Sequence, residues 1–313
     1  VPYRDAVPEL PEVETVRRAL AGHVVGRSVR KVRVSRLRLR GASLSPLPRK
    51  LQGRTIRSLD RIGKYLLFDL DHDLTLLSHL GMSGRWLFHD GGVVEPLPHE
   101  HIRITFEDGT VLRFDDPRRF GLARVVPTAR LSRDPALAVL GPDPITHPPT
   151  AEWLRERARG AKISVKEFLL DQKRMAGIGN IYASEILHRA GVHPRRRAGT
   201  LRIDEWGAVG RETGAVLGEA IDRMGTTFRL YRNLWNEPGA YGERLLVYDR
   251  AGEPCRKCGK PVVRVVQGAR STFYCPNCQP ARPARPPRPS GSAGDPTASG
   301  RPRAGRKARS PRG

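Results

Sequence analysis

A chain of 313 residues has room for two domains and a small third module, each with a core of its own. Its net charge of +24 makes a polyanion the natural partner; residues 281–313 hold nine positive side chains against the single acid Asp295, so residues 1–280 still carry +16. No apolar run approaches the roughly 18–20 residues of a membrane-spanning helix and no charged-then-apolar leader opens the sequence, which argues against a membrane protein and for a cytosolic one.

In chain order, Pro11 followed by Glu12 and Glu14 predicts a helix start, since proline is preformed for the first helical position and acids suit the positive end of the dipole. Val13, Val16 and Leu20 then share one face. From about residue 24 to 126 the apolar period is two, at Val32/Val34, Leu37/Leu39, Tyr65/Leu67 and Ile102/Ile104/Phe106, and Asp108-Gly109 marks a tight hairpin before Leu112/Phe114. A β-sandwich fronted by one helix is expected over residues 8–133. Five prolines among small polar residues make 134–150 a linker. Beyond it the period becomes helical: Ser164-Val165-Lys166-Glu167 has the form of a capping box, a Gly177-Ile178-Gly179-Asn180 turn separates it from a helix over Ile181 to Ala190, and another helix covers Asp204 to Met224. Residues 151–245 therefore read as a helical domain.

All four cysteines fall between 255 and 278 in two CxxC pairs, the spacing of a tetrahedral thiolate zinc site rather than of a disulfide framework. Such a closed site is structural, because four protein ligands leave no position for substrate. Alternating runs at Val262 to Val266 and Thr272 to Tyr274 predict a hairpin inside the module, residues 246–280, with Arg270 near its tip. Residues 281–313 are Pro, Arg, Gly, Ser and Ala with no apolar run and are expected to be a disordered basic tail.

Five segments in order, PELPEVETVRR at 8–18, HLGMSG at 79–84, DPRRFG at 116–121, GIGNIYASE at 177–185 and RSTFYC-x2-C at 270–278, resemble formamidopyrimidine-DNA glycosylase, and the resemblance spans residues 8–280. It implies an α+β multidomain protein, with a catalytic β-sandwich, a helix–two-turn–helix DNA-binding domain and a zinc-finger hairpin, acting as a monomer on duplex DNA that contains oxidised bases. It implies one structural Zn2+, held by Cys255, Cys258, Cys275 and Cys278. The implied activity is removal of oxidised purines, chiefly 8-oxoguanine and formamidopyrimidines, followed by cleavage at the abasic sugar by β,δ-elimination. The nucleophile would be the nitrogen of Pro8, with Glu9 as the acid/base and Lys64 contacting the phosphate beside the lesion. Met82, Arg118 and Phe120 match the residues that fill the hole left by a flipped base. Asn180 matches a phosphate-binding asparagine at a helix start, Lys166 another contact near the pocket, and Arg270 the arginine that grips the lesion phosphates. His79 is expected to be structural, and Glu12 either to line the pocket or to serve its helix. The stretch from Thr226 to Tyr241 corresponds to the family's lesion-covering loop.

Six residues precede Val7, so the Pro8 nitrogen as written is an amide and cannot attack carbon. The chemistry requires a free terminus, where an α-amine titrates near ~8 and is partly neutral at pH 7. The expectation is that residues 1–7 are not part of the working enzyme, Val7 being the true start and trimmed away to expose Pro8. Two rivals stay open: an endonuclease VIII-like glycosylase for oxidised pyrimidines, which the third residue of PELPEVE argues against, and a zinc-containing DNA-binding protein without catalysis, which a blocked Pro8 would produce.

Overall fold

The structure, a computed structural model, describes residues 7–226 and 240–281. The basic tail, residues 1–6 and residues 227–239, most of the stretch read as a lesion-covering loop, lie outside the described residues.

Helix α1 (Leu10–Val24) starts one residue before Pro11, which takes the second helical position. Glu12 accepts the Glu9 backbone N–H at 2.9 Å and so satisfies a group that the helix start would leave without a partner. Val13, Val16 and Leu20 face inward as their spacing requires. Two antiparallel four-stranded sheets follow. One has the order β1 (Val29–Val34), β6 (Glu100–Phe106), β7 (Val111–Asp115), β5 (Arg85–His89); the other runs β2 (Ile56–Ile62), β3 (Tyr65–Leu70), β4 (Leu74–His79), β8 (Leu122–Pro127). Phe68, Trp86, Phe106 and Phe114 fill the core between them, and Trp86 satisfies its indole N–H on Ser78 Oγ at 3.0 Å.

Leu37/Leu39 do not form the expected strand. The chain turns at Arg40 and Gly41, both at positive φ, so Leu39 is buried through an isolated bridge to Ala42 while Leu37 is left exposed. A short helix α2 (Leu47–Leu51), unforeseen in the sequence, buries its two leucines against the same core.

The connection over 134–150 is fastened rather than loose. The buried Asp143 carboxylate accepts the Gly63 and Ile145 N–H groups and the Arg61 guanidinium. Helices α3 (Ala151–Ala158), α4 (Val165–Leu170), α5 (Asn180–Arg189) and α6 (Ile203–Asp222) then pack around Phe168, Tyr182 and Trp206. The capping box is formed: Ser164 Oγ accepts from Glu167 N at 3.2 Å and Glu167 accepts from Ser164 N at 3.0 Å. The hairpin β9 (Val263–Gln267) and β10 (Arg270–Tyr274) closes the fold, turning at Gly268 and Ala269. Among the described residues no helix is long and apolar enough to cross a membrane.

Candidate active site and nucleic-acid interface

A cleft of about 640 Å3 is lined by Val7, Glu9, Lys64, His79, Met82, Asn180 and Arg270, with Tyr248 and Val139 on its walls. Residues from all three modules therefore meet in one place, and Pro8 is buried beside it.

Glu9 is set by the far end of the chain's middle. The start of α5 has backbone amides without helical partners, and the Glu9 carboxylate accepts three of them, from Gly179 at 2.7 Å, Ile181 at 2.9 Å and Tyr182 at 3.4 Å. A Cβ at 179 would lie 2.3 Å from Glu9 Cδ, so a larger residue there would displace the carboxylate. Burial raises the Glu9 carboxyl to about 7, outweighing the opposing pull of Lys64 and of the α5 amides. An acid poised near neutrality, next in sequence to Pro8, suits proton transfer in either direction.

Glu12 is buried one turn further along α1. It accepts from Tyr182 Oη at 2.6 Å and from Thr226 N and Oγ1 at 2.8 and 2.9 Å, and burial raises its pKa as well. Its carboxylate thus holds α1, α5 and the root of the segment after Thr226 together. Lys64 is half-buried; burial lowers its pKa, Glu9 and Glu12 oppose that, and Arg270 adds to it. The turn that presents Lys64 is fixed by Arg61, which donates to the Glu14 carboxylate at 3.0 Å and to Gly63 O at 2.8 Å, and by Asp143 on the Gly63 N–H at 2.9 Å.

The two loops carrying Met82, Arg118 and Phe120 are locked face to face. Ser83 Oγ donates to Asp116 at 2.5 Å, Gly121 N donates to the other Asp116 oxygen at 2.8 Å, and Arg118 N donates to Ser83 Oγ at 3.2 Å. At Gly81, with φ +69°, a Cβ would stand 2.4 Å from the Phe120 backbone. Arg40 completes the lock, donating to Phe120 O at 3.1 Å. Phe120 remains 45% exposed, with the Arg118 guanidinium 5.1 Å from its ring centre. An exposed ring on a hydrogen-bonded base has the form an apolar wedge would need, and a guanidinium beside it has the donor geometry of a base-edge contact.

Asn180 opens α5 and donates through Nδ2 to Ser271 O at 2.9 Å, which ties the hairpin to the helix start. Arg270 is exposed on the cleft rim. Lys166 departs from the expected pocket contact: it is 1% exposed and spends its ammonium on Ser271 O at 3.0 Å and Thr272 Oγ1 at 2.7 Å. Burial pushes its pKa down to about 7. It seats the hairpin instead of reaching into the cleft. His79, read from the sequence as structural, lines the cleft. Its Nδ1 accepts the Gly81 N–H at 2.8 Å, and burial lowers its pKa to about 3, so the ring is neutral and Nε2 is its donor.

The four cysteine Sγ atoms lie within 4.8 Å of one another, with Cys258–Cys275 at 3.4 Å and Cys255–Cys278 at 3.9 Å. A zinc–sulfur bond of ~2.3 Å in a tetrahedron demands edges of about 3.8 Å, so the thiolates fit Zn2+ and the module is a structural zinc finger.

Sequence reasoning missed Arg61, Asp143, Tyr182, Thr226 and Tyr248. Tyr182 and Thr226 lay inside recognised segments, but what they do depends on Glu12, far along the chain, as Arg61 depends on Asp143.

Three family profiles match in order: the formamidopyrimidine-DNA glycosylase N-terminal domain at residues 7–123, the H2TH domain of the same enzyme at 140–232, and the zinc finger found in FPG and IleRS at 252–281. A formamidopyrimidine-DNA glycosylase of Methylococcus capsulatus is 44% identical over 274 residues, 87% of this chain and 100% of that protein. Among solved structures, a Lactococcus lactis FPG mutant in complex with DNA containing Fapy-dG superposes with a TM-score of 0.81 at 32% identity, covering 87% of this chain and 100% of the other. MutM in complex with DNA containing carbocyclic 8-oxo-G gives 0.80 at 32% identity, with the same coverage.

Proposed function

The chain belongs to the formamidopyrimidine-DNA glycosylase family, and from that membership we infer that it excises oxidised purines from duplex DNA and then cuts the strand at the abasic sugar. The observation that carries the reading at this chain's own residues is Glu9, a carboxyl near pKa 7 on the floor of a cleft shared with Lys64 and adjacent to Pro8. The family profile beginning at residue 7 supports a working form in which Pro8 comes first.

In that form the Pro8 nitrogen is a secondary amine. The damaged nucleotide is turned out of the stack into the cleft, at a cost of a few kcal/mol. Met82, Arg118 and Phe120 occupy the hole it leaves. The amine's lone pair forms a bond to the anomeric carbon as the bond to the base breaks; the base leaves with that bond's electron pair and takes up the proton that the amine gives up. Glu9 gives its proton to the sugar ring oxygen, the ring opens and a cationic Schiff base remains. That cation acidifies the proton on the neighbouring carbon, whose removal expels the 3′ phosphate; a second elimination expels the 5′ phosphate. Lys64, Asn180 and Arg270 offer donors and positive charge to the flanking phosphates. A DNA substrate supports the reading of a cytoplasmic enzyme that works at the chromosome, and we take the working unit to be a monomer.

The test is borohydride trapping on a duplex with one 8-oxoguanine opposite cytosine. The form starting at Pro8 is expected to give a covalent adduct, and the chain with Val7 in peptide linkage to Pro8 none. Binding without adduct by the Pro8-first form would leave a non-catalytic DNA-binding protein, and stronger trapping on an oxidised pyrimidine would favour the endonuclease VIII-like reading.

A further inference from the structure

Zinc bound by four thiolates carries two net negative charges, and such a centre is tuned by hydrogen bonds that reach its sulfur atoms from outside. His188, on α5 in the helical domain, is 1% exposed, and its Nε2 lies 3.5 Å from Cys255 Sγ. Its Nδ1 is buried with no hydrogen-bond partner among the described residues. These two observations select the tautomer. A proton on Nδ1 would leave a buried donor unpaired and turn the Nε2 lone pair against a thiolate; a proton on Nε2 points at the sulfur and leaves only an acceptor unpaired, the milder defect.

We propose that His188 is a positioning residue for the zinc site, donating its Nε2–H to the metal-bound Cys255 thiolate. The bond crosses from one domain to another. On the same helix, the Glu185 carboxylate accepts the Leu246, Val247 and Tyr248 amides at 2.8–3.0 Å, and just beyond it Val192 O accepts from Gln279 at 2.9 Å. The zinc module is therefore fastened along α5, the helix whose first amides hold Glu9. Metal retention and the seating of α5 depend on each other, because any coupling between two sites acts in both directions.

The experiment measures zinc release from the full-length holoprotein to a colorimetric chelator, together with the near-ultraviolet sulfur-to-metal band of the cobalt-substituted protein. His188→Phe keeps a ring and removes the donor; release is expected to quicken about 10–100-fold, and the cobalt band to move to lower energy as the thiolate loses its hydrogen bond. His188→Gln, whose amide N–H reaches the same position, is expected to restore both. Unchanged release in His188→Phe overturns the proposal, and so does faster release without a shift of the cobalt band, which would leave His188 a packing role alone. Should His188→Phe fail to fold, NMR of the histidine ring in the unaltered zinc protein decides: an Nε2–H tautomer upholds the bond and an Nδ1–H tautomer overturns it.

Discussion

In the sandwich, Phe68, Trp86, Phe106 and Phe114 lie among many buried aliphatic side chains between two sheets, whereas the zinc module buries Val247, Val262 and Phe273 with two of its own ligands. Burial of a large apolar side chain contributes about 1.5–3 kcal/mol, while ordering the chain costs about 1–2 kcal/mol per residue. Many such side chains offset that cost in the sandwich; three cannot. The module stands instead on the metal and on polar bonds to its neighbour, from Lys166, Glu185 and Asn180. Size therefore decides the means of stabilisation, and the means decides what each region contributes. The sandwich carries Glu9, Lys64 and the exposed Phe120 ring on a base with a large buried core, and the module supplies Arg270 on a hairpin beside the four cysteines.

Withdrawing zinc should have the largest effect, since structural zinc accounts for about 10–16 kcal/mol in isolated finger peptides. Chelation is expected to abolish tight binding to duplex DNA while circular dichroism of the sandwich and its melting survive; simultaneous loss of both would erase the contrast. Phe106→Ala is the converse break. Removing a fully buried ring should lower unfolding free energy by about 3–5 kcal/mol in denaturant titration, with zinc affinity unchanged.

Glu9→Gln sharpens the comparison at the cleft, because the residue belongs to the sandwich but takes its pKa from burial against α5. Single-turnover base release is expected to fall about 10²–10⁴-fold. Its pH profile supplies the sign: the protonated acid is present below about 7 and is lost as pH rises through that value, so the wild-type rate should drop on the alkaline side and the variant should lack that limb. Arg118→Ala should cost least, about 1–3 kcal/mol of base discrimination. The expected result is weaker preference for cytosine opposite the lesion with strand cutting retained, and an unchanged preference would remove Arg118 from that role.

The parts legible in the sequence were those whose cause lies within a few residues. The capping box at Ser164 and Glu167, the Asp108-Gly109 turn, the inward face of Val13, Val16 and Leu20 and the paired cysteines each follow from local geometry, and all are formed. Leu37/Leu39 failed because two alternations do not outlast a turn at positive φ. Lys166 was expected near the pocket from the family resemblance, yet its destination was set by Ser271 and Thr272, more than a hundred positions away.

The sequence alone determined the order of the modules, the metal and its four ligands, and the presence of an acid after Pro8. Tertiary structure decided that this acid would rest on amides 170 residues distant, that Arg61 and Asp143 would fix the turn beneath Lys64, and that His188 would stand against the Cys255 sulfur. The division is physical. Turns, caps and periodicity are settled by backbone sterics and hydrogen bonds between near neighbours, while a shifted pKa or a buried ion's partner depends on which distant surfaces close over it and exclude water.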